Sequence, residues 1–503
     1  MSEIHEFGPF GKGKPVLQKR SVFGKVLKWC LIIGLLALMP YALHGWLKFY
    51  HFFGENQPPV IDVIKPPAGM STEPLKIKIQ LADKQSGLDE VIIRAEQGRD
   101  LRDLLRKKYR ERQEEDIIEL TLNGKESGFH EGDLRLLILA FDRSFWSNAA
   151  KATFTLRVDY EKPRLEVIST QHNAVRGGVE LVFYRVFGEK NIFSGVMAGS
   201  QLFPGFPAAK LDRDFTSMPD LYFAFFAIPL DFNEDQDSIA AFARDLVGNT
   251  ATASFFYRIK NWGLAPLQFE LPPEYPTNKA DEVFRTFTLL RAVGSKLPSP
   301  EISAAANDAE RLERLRSALP GSRDILADNL KQIFGRPKAE RFWQGSFLRP
   351  PGRPLPGAFG QNLSLFYQGD VVDSFTQQGM TFASTANVPV RAANSGIVIF
   401  ADDLGSYGKT VILDHGFGLT SLYGHLNSIT HLEGSRIAAG DIIGAAGSTG
   451  FAWRDCVAFE IRLHGVPVRP EEWWDNTWIA DHIEAKITEI KKKMGINAPR
   501  LLD

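Results

Sequence analysis

VPVRAANSGIVIFA (Val388 to Ala401), YGKTVILDHGFGLTSLYGHL (Tyr407 to Leu426), GSRIAAGDIIGAAGSTG (Gly434 to Gly450) and CVAFEIRLHGVPVRPEEW (Cys456 to Trp473) follow one another towards the end of the chain. Short apolar runs rich in Val, Ile, Leu and Phe alternate with Gly, Asn, Asp and Ser. That pattern predicts short β-strands joined by tight turns. It starts after RPPGRPLPG (Arg349 to Gly357), which reads as a loop, and runs to about Asp475. A last helix is predicted from Trp478 to Met494, with Ile479, Ile483, Ile487, Ile490 and Met494 on one face and Lys491, Lys492 and Lys493 at its C-terminal end. His431, His464 and His482 fall in turns or on that helix and read as solvent-facing.

Upstream, helical spacing at Ala280 to Ala292 and Asn307 to Leu319, with Asn278, Pro320 and Gly321 as caps or breakers, predicts a short helical connector. Before it the chain is β-rich and repeats itself. PVIDV (Pro59 to Val63) has a counterpart in PRLEV (Pro163 to Val167). Ala140, Asp142 and Asn148 match Ala243, Asp245 and Asn249. LKIKIQL (Leu75 to Leu81), DLRLLILAFD (Asp133 to Asp142) and TFTLRV (Thr153 to Val158) read as strands of the first copy, and the charged stretch Asp100 to Asp116 as an inserted surface helix. A repeat of about 100 residues built of short strands predicts two immunoglobulin-like β-sandwiches. The Asp and Asn near the end of each copy are suited to fixing a turn before the last strand, because their side chains bond nearby backbone groups. Counted by sequence, one Asp and one Asn per copy are too few oxygens for a calcium ion between modules.

Trp29 to Leu47 (WCLIIGLLALMPYALHGWL) carries no Lys, Arg, Asp or Glu and is long enough to cross a bilayer. Lys12, Lys14, Lys19, Arg20, Lys25 and Lys28 precede it, and only Lys48 follows closely. That asymmetry puts the N-terminus in the cytoplasm and the bulk of the chain in the periplasm or outside the cell. A cleaved signal peptide is the competing reading. Among 503 residues, 44% hydrophobic and 24% charged with a net charge of -1, nothing points to nucleic acid. The two cysteines are Cys30, inside the apolar run, and Cys456, so no disulfide between them is expected. The chain is therefore expected to be mostly β and multidomain. Residues 1–28 form a basic tail, 29–47 a single-pass anchor, 57–160 and 161–262 the two sandwiches, 276–345 the connector, 346–476 an antiparallel β domain and 477–503 the final helix and tail.

The order of segments in residues 346–476 resembles the lysostaphin-type, or LytM-like, zinc endopeptidases that cut peptidoglycan cross-links. The resemblance implies a compact antiparallel β domain with a groove on one sheet. In that family an HxGxD segment gives a His and an Asp to zinc, an HxH segment gives a third ligand and a catalytic His, and a further catalytic His lies in a YxHL segment. Laid onto this chain, the first segment is QQGMTFA, with Gln377 at the His position and Thr381 at the Asp position. The second is CVAFEI, with Cys456 at the catalytic His and Ala458 at the ligand His. Only His425, in YGHL, is kept, while Gly379, Phe382, Ala383, Phe459 and Glu460 still fit. No His occurs between His172 and His415, so no shift of register restores the first ligand.

Zinc needs three protein ligands and an open position for water. Ala458 has no donor atom, and Gln377 and Thr381 are weak neutral ones, so no metal and no cofactor are expected. Gln377, Thr381, His415, His425, Cys456 and Ala458 are the candidate groove-lining residues. The expected function is binding or regulating peptidoglycan, a cell-wall hydrolase or another envelope protein, since the resemblance extends to LytM-like proteins that lack zinc ligands and activate amidases. Two alternatives remain at this point. One is an active metalloendopeptidase using zinc on nonstandard ligands such as Cys456 and His425, or Cys456 as a nucleophile beside His425. The other is a structural adaptor with an unused groove.

Overall fold

The structure, a computed structural model, describes residues 38–47, 49, 53–188, 192–260, 263–292, 305, 307–334 and 337–496. Of the described residues 45% are in strands and 19% in helices, so the fold is mostly β. It divides into two compact units, Met1–Tyr160 and Glu161–Asp503. Most of the predicted anchor and all of the basic tail lie outside the described residues. Residues 38–47 are helical and exposed. No helix among the described residues is long and apolar enough to cross a membrane.

In the first unit, Leu75–Ala82 alternates as its sequence demands: Ile77, Ile79 and Leu81 are buried, Lys76 and Lys78 exposed. It pairs with Val60–Ile64 and Glu115–Leu122 in a three-stranded sheet. A five-stranded sheet is ordered Gly69–Met70, Ala149–Val158, Gly132–Asp142, Leu88–Gln97, Asp100–Gln113. Ile77 and Ile79 from one sheet share a core with Val91, Ile93, Leu136, Ile138 and Leu156 from the other. The segment expected as a surface helix is instead a strand, Asp100–Gln113, at the edge of this sheet. Cross-strand pairing decides the outcome against helix propensity. Arg94 meets Asp103 at 2.6 Å and Arg106 meets Glu90 at 3.8 Å. A long charged edge is also a poor template for unwanted strand addition, which accounts for its Arg, Lys and Glu content.

The second unit begins with two four-stranded sheets. One is Phe206–Pro207, Leu221–Ala227, Val179–Phe187, Arg164–Val167, and the other Gln201–Pro204, Phe193–Ala198, Ile239–Arg244, Thr250–Ser254. The repeated Asp–Asn pair builds the same turn in both copies. Asp142 Oδ1 accepts from the backbone N–H of Ser144 and Asn148, and Asn148 Nδ2 donates to Asp142 Oδ2 at 2.8 Å. Asp245 Oδ1 accepts from Val247, Gly248 and Asn249, and Asn249 Nδ2 donates to Asp245 Oδ2 at 2.9 Å.

Both connector helices are longer than expected. The first, Tyr275–Ala292, contains Asn278 inside it rather than at its cap. The second is capped by Asn307, whose side chain accepts from the Glu310 N–H at 2.9 Å, and runs Asp308–Ile333 through Pro320 and Gly321. A proline there costs about 3 kcal/mol. Packing on both sides offsets it: Leu315, Ala318 and Leu319 lie in one core and Leu326 and Leu330 in another. Gly321 is required by the close approach of the two helices, since a Cβ there would sit 2.5 Å from the Phe287 ring.

Residues that carry the groove belong to one antiparallel sheet. Its order is Arg353–Pro354, Met380–Ala383, Cys456–Leu463, Leu419–Ile429, Lys409–Gly416, Gly396–Asp403, Arg436–Ile437. The final helix is Asn476–Ile479, a π turn at Ala480–Glu484, and Ala485–Lys493, with Asp475 as its N-cap. Ile479, Ile483, Ile487 and Ile490 are buried, worth roughly 1.5–3 kcal/mol each before entropy. Across from them Lys486 pairs with buried Glu180, and Lys491 reaches Asp212 at 2.5 Å and Asp214 at 2.7 Å. The second module is therefore not a free spacer. It is packed into the same body as the C-terminal sheet.

Candidate functional site: a polar groove on the C-terminal sheet

Strand Cys456–Leu463 lies in the middle of the sheet, so its side chains alternate between two environments. Val457, Phe459, Ile461 and Leu463 join the main core. Cys456, Ala458, Glu460 and Arg462 line a groove of about 1100 Å³ on the opposite face. On one side Thr381 pairs with Ala458 and Ala383 with Cys456. On the other Gly424 pairs with Ala458, placing His425 next in the chain. Gln377 lies just ahead of the Met380–Ala383 strand, and a Cβ on Gly379 would come within 2.4 Å of the Phe459 carbonyl, so the close approach requires glycine. The connector strands and helices and the second module supply further walls, including Phe269, Leu326, Leu330 and Leu202.

Five of the six sequence candidates thus surround one groove: Gln377, Thr381, His425, Cys456 and Ala458. His415 does not. It is fully buried behind the sheet against Phe347, with Nδ1 donating to the Ser395 carbonyl at 2.7 Å and Nε2 accepting from Ser421 Oγ at 2.7 Å. Burial pulls its pKa down to about 4, so it is a neutral core residue. His464, expected in solvent, is half-buried and packs between Phe203 and Phe206 on the groove's rim. His482 is also half-buried, stacked on Trp478 at 5.0 Å.

His425 has a φ of 63°, left-handed for a non-glycine residue. Its Nδ1 donates to the Thr449 carbonyl at 2.9 Å, and burial holds its pKa down near 4. Cys456 is a free thiol with 2% exposure, pushed up to about 12 by burial and then by the neighbouring Asp455. A buried thiol of that kind is held neutral at physiological pH in the metal-free protein.

Residue alternation along CVAFEIRL also reveals a network missed by motif matching. Tyr407 Oη donates to Glu460 Oε1, and Arg462 Nε donates to Glu460 Oε2 at 2.7 Å. Arg462 continues to the Gly465 carbonyl at 2.9 Å and Gln378 Oε1 at 2.7 Å. Burial and the adjacent Glu460 carboxylate hold the Tyr407 phenol well above its usual range. The groove floor thus neutralises its own charge through one buried ion pair.

Zinc does not fit this donor set. Thr381 and Ala458 face each other at two ligand positions, and Gln377 offers only an amide. Among the described residues no three His, Cys, Asp or Glu side chains in the groove come close enough to share an ion. No chemical step through a metal follows from these residues.

The sequence pattern of Peptidase family M23 matches residues 375–470. Over 140 residues the chain is 34% identical to murein hydrolase activator EnvC of Escherichia coli (strain K12), which covers 28% of this chain and 30% of EnvC. Over 92 residues it is 36% identical to DD-carboxypeptidase/endopeptidase Mpg of Neisseria meningitidis serogroup B, covering 18% of this chain and 21% of Mpg. A solved structure described as a putative peptidase M23 from Pseudomonas aeruginosa aligns with 59% of this chain and 93% of its own, at 18% identity and a TM-score of 0.33. The chain thus spans less than a third of the length of either curated relative. With the groove strands and the retained Phe382, Phe459 and Glu460 inside the matched segment, residues 375–470 are a Peptidase family M23 domain of the LytM-like kind.

Proposed function

We propose that this chain is a non-catalytic cell-envelope protein whose LytM-like groove binds a peptidoglycan peptide or a cell-wall hydrolase and regulates hydrolysis performed by that partner. The observation that carries the reading is the Ala458–Thr381 pair on adjacent strands, which leaves two ligand positions without a competent donor. The similarity to a relative named as a murein hydrolase activator fits the same reading. In this proposal the Trp29 to Leu47 segment anchors the chain in the membrane with its N-terminus in the cytoplasm, and the two β modules, immunoglobulin-like in kind, lie on the envelope side. No metal or cofactor takes part.

Purified murein tests it. The full chain alone should release no soluble fragments, with zinc added or with chelator. Added to a murein hydrolase, it should raise or lower that enzyme's rate. Fragment release by the chain alone, dependent on zinc and lost in Cys456→Ala or His425→Ala, would instead establish the metalloendopeptidase alternative.

A further inference from the structure

The turn built by Asp142 recurs at Asp245, but the surroundings differ. Asp245 is half-buried, and its hydrogen bonds to Val247, Gly248 and Asn249 account for it. Asp142 has 1% exposure and is joined by Glu55, 2% exposed, and Asp83, 6% exposed. Each of the three brings a carboxylate oxygen within 4.8 Å of the others. Making a turn needs one carboxylate, as the second copy demonstrates, so two more are unexplained.

They converge from separate parts of the first unit. Glu55 precedes the first strand, Asp83 follows Leu75–Ala82, and Asp142 ends Gly132–Asp142. Glu55 Oε2 accepts from the Ser86 N–H at 2.9 Å, and Asp83 Oδ1 accepts from Gln85 at 2.9 Å and Gly87 at 3.0 Å. Asp83 Oδ2 is buried without a hydrogen-bond partner. Two arginines close by in the chain bond to other groups: Arg112 pairs with Glu114 at 2.5 Å and donates to the Lys84 and Gln85 carbonyls, and Arg143 donates to the Tyr109 carbonyl and lies 3.8 Å from Asp89. Three buried carboxylates with an orphaned oxygen and no ion-pair partner among the described residues call for a positive charge.

We propose that Glu55, Asp83 and Asp142 form a binding site for a hard divalent cation, calcium, in the N-terminal β unit. All donors are oxygens, which excludes a soft-metal preference, and three carboxylates binding through one or two oxygens each supply about three to six of the six to eight oxygens calcium takes, with waters to complete the shell. Its flexible geometry suits ligands drawn from three chain segments better than the strict octahedron of magnesium. The ion would fasten the segment before the first strand to the module. That segment already touches it through Trp146 Nε1 to the Phe53 carbonyl at 3.0 Å and Asn148 Nδ2 to the Glu55 carbonyl at 3.3 Å. The sequence count of oxygens around Asp142 alone was too low because two of the carboxylates come from elsewhere in the fold.

Equilibrium dialysis of the full chain against calcium chloride, after chelator treatment, tests the site. One calcium should bind per chain, and the melting temperature of the unit should rise with calcium and fall with chelator. Asp83→Asn keeps the Oδ1 hydrogen bonds and should weaken calcium binding about tenfold or more. The same variant should melt higher than the natural chain in chelator and lower in calcium, a reversal that a purely structural role does not produce. Absence of calcium binding by folded protein at millimolar concentration would overturn the proposal. So would equal binding by Asp83→Asn, or displacement of calcium by an equal concentration of magnesium.

Discussion

Ala458 presents a methyl group where a zinc ligand would need a lone pair, and it stands opposite Thr381 across one ladder of the sheet. If only donors are missing and the groove is otherwise intact, returning them should return the metal. The triple variant Gln377→His, Thr381→Asp, Ala458→His is therefore expected to retain zinc near one equivalent after dialysis, while the natural chain retains almost none. Elemental analysis of both samples decides it, and an empty triple variant with a native melting curve would mean the groove has been reshaped. Arg462 tests the groove floor in a different way. Removing it leaves Glu460 buried without its cation, so Arg462→Ala should cost about 3–5 kcal/mol. The loss should be much smaller when Glu460→Gln is made as well, and denaturant titration of the two singles and the double measures the coupling. The groove positions of Gln377, Thr381 and Ala458 were legible in the sequence because motif spacing places them directly. Tyr407 and Gln378 were not, because their partners, Glu460 and Arg462 respectively, lie on another strand far along the chain. Arg462 could have been found from the alternation of CVAFEIRL alone. His415 was misplaced because its neighbours in VILDHG say that a strand is present and nothing about which face holds the histidine.

At the scale of elements, the Asp–Asn turn is the feature most directly carried from sequence to fold. Asp245 Oδ1 takes the backbone N–H groups of Val247, Gly248 and Asn249 before the last strand of its module. Asp245→Ala should therefore destabilise the second unit by about 2 kcal/mol, and Asp245→Asn by less, since an amide oxygen can still accept. Thermal melting of the three chains checks this, and an alanine variant as stable as the natural chain would sink it. Alternation located Leu75–Ala82 and its neighbours correctly, because one buried face fixes both period and register. Asp100–Gln113 was misread because its charges carry no alternation, and its state is set by the neighbouring Leu88–Gln97 strand, which local sequence does not report. The second connector helix was cut short at Pro320 for the same kind of reason. A proline is a strong local signal, and the packing of Leu326 and Leu330 that outweighs it lies on residues distant in sequence, Leu404, Ile412 and Leu422.

Over the whole second unit, buried ionisable groups fix how stability should respond to pH. Burial holds His172, His415, His425 and His464 down to about 4 from an ordinary value of 6.5. The unfolded chain therefore binds protons that the folded chain refuses between those values. Stability from these groups is complete above about pH 6.5 and is lost as pH falls towards 4, to the extent of roughly 3 kcal/mol for fully buried His415. Glu472 and Glu180 act in the opposite sense. Burial raises them to about 8 and about 7 from an ordinary 4.5, so the folded state holds protons that the unfolded state releases. Their contribution is full below about 4.5 and is lost as pH rises through 7 to 8. Burial shifts His482 down and Asp414 up as well, so below pH 6 the lowered histidines still outnumber and outweigh the raised carboxyls, and above pH 7 the carboxyls dominate, because the histidines are then neutral in both states. The stability of this unit should accordingly peak at about pH 6.5, with the acid side the steeper. Denaturant midpoints measured from pH 4 to 9 test the shape. His415→Gln should flatten the acid limb, and Glu472→Gln, which keeps an oxygen to accept from the Val179 N–H, should flatten the alkaline one. A profile that stays level from pH 4.5 to 8, or that climbs steadily as pH falls, would show that these side chains do not carry the protonation states their burial imposes.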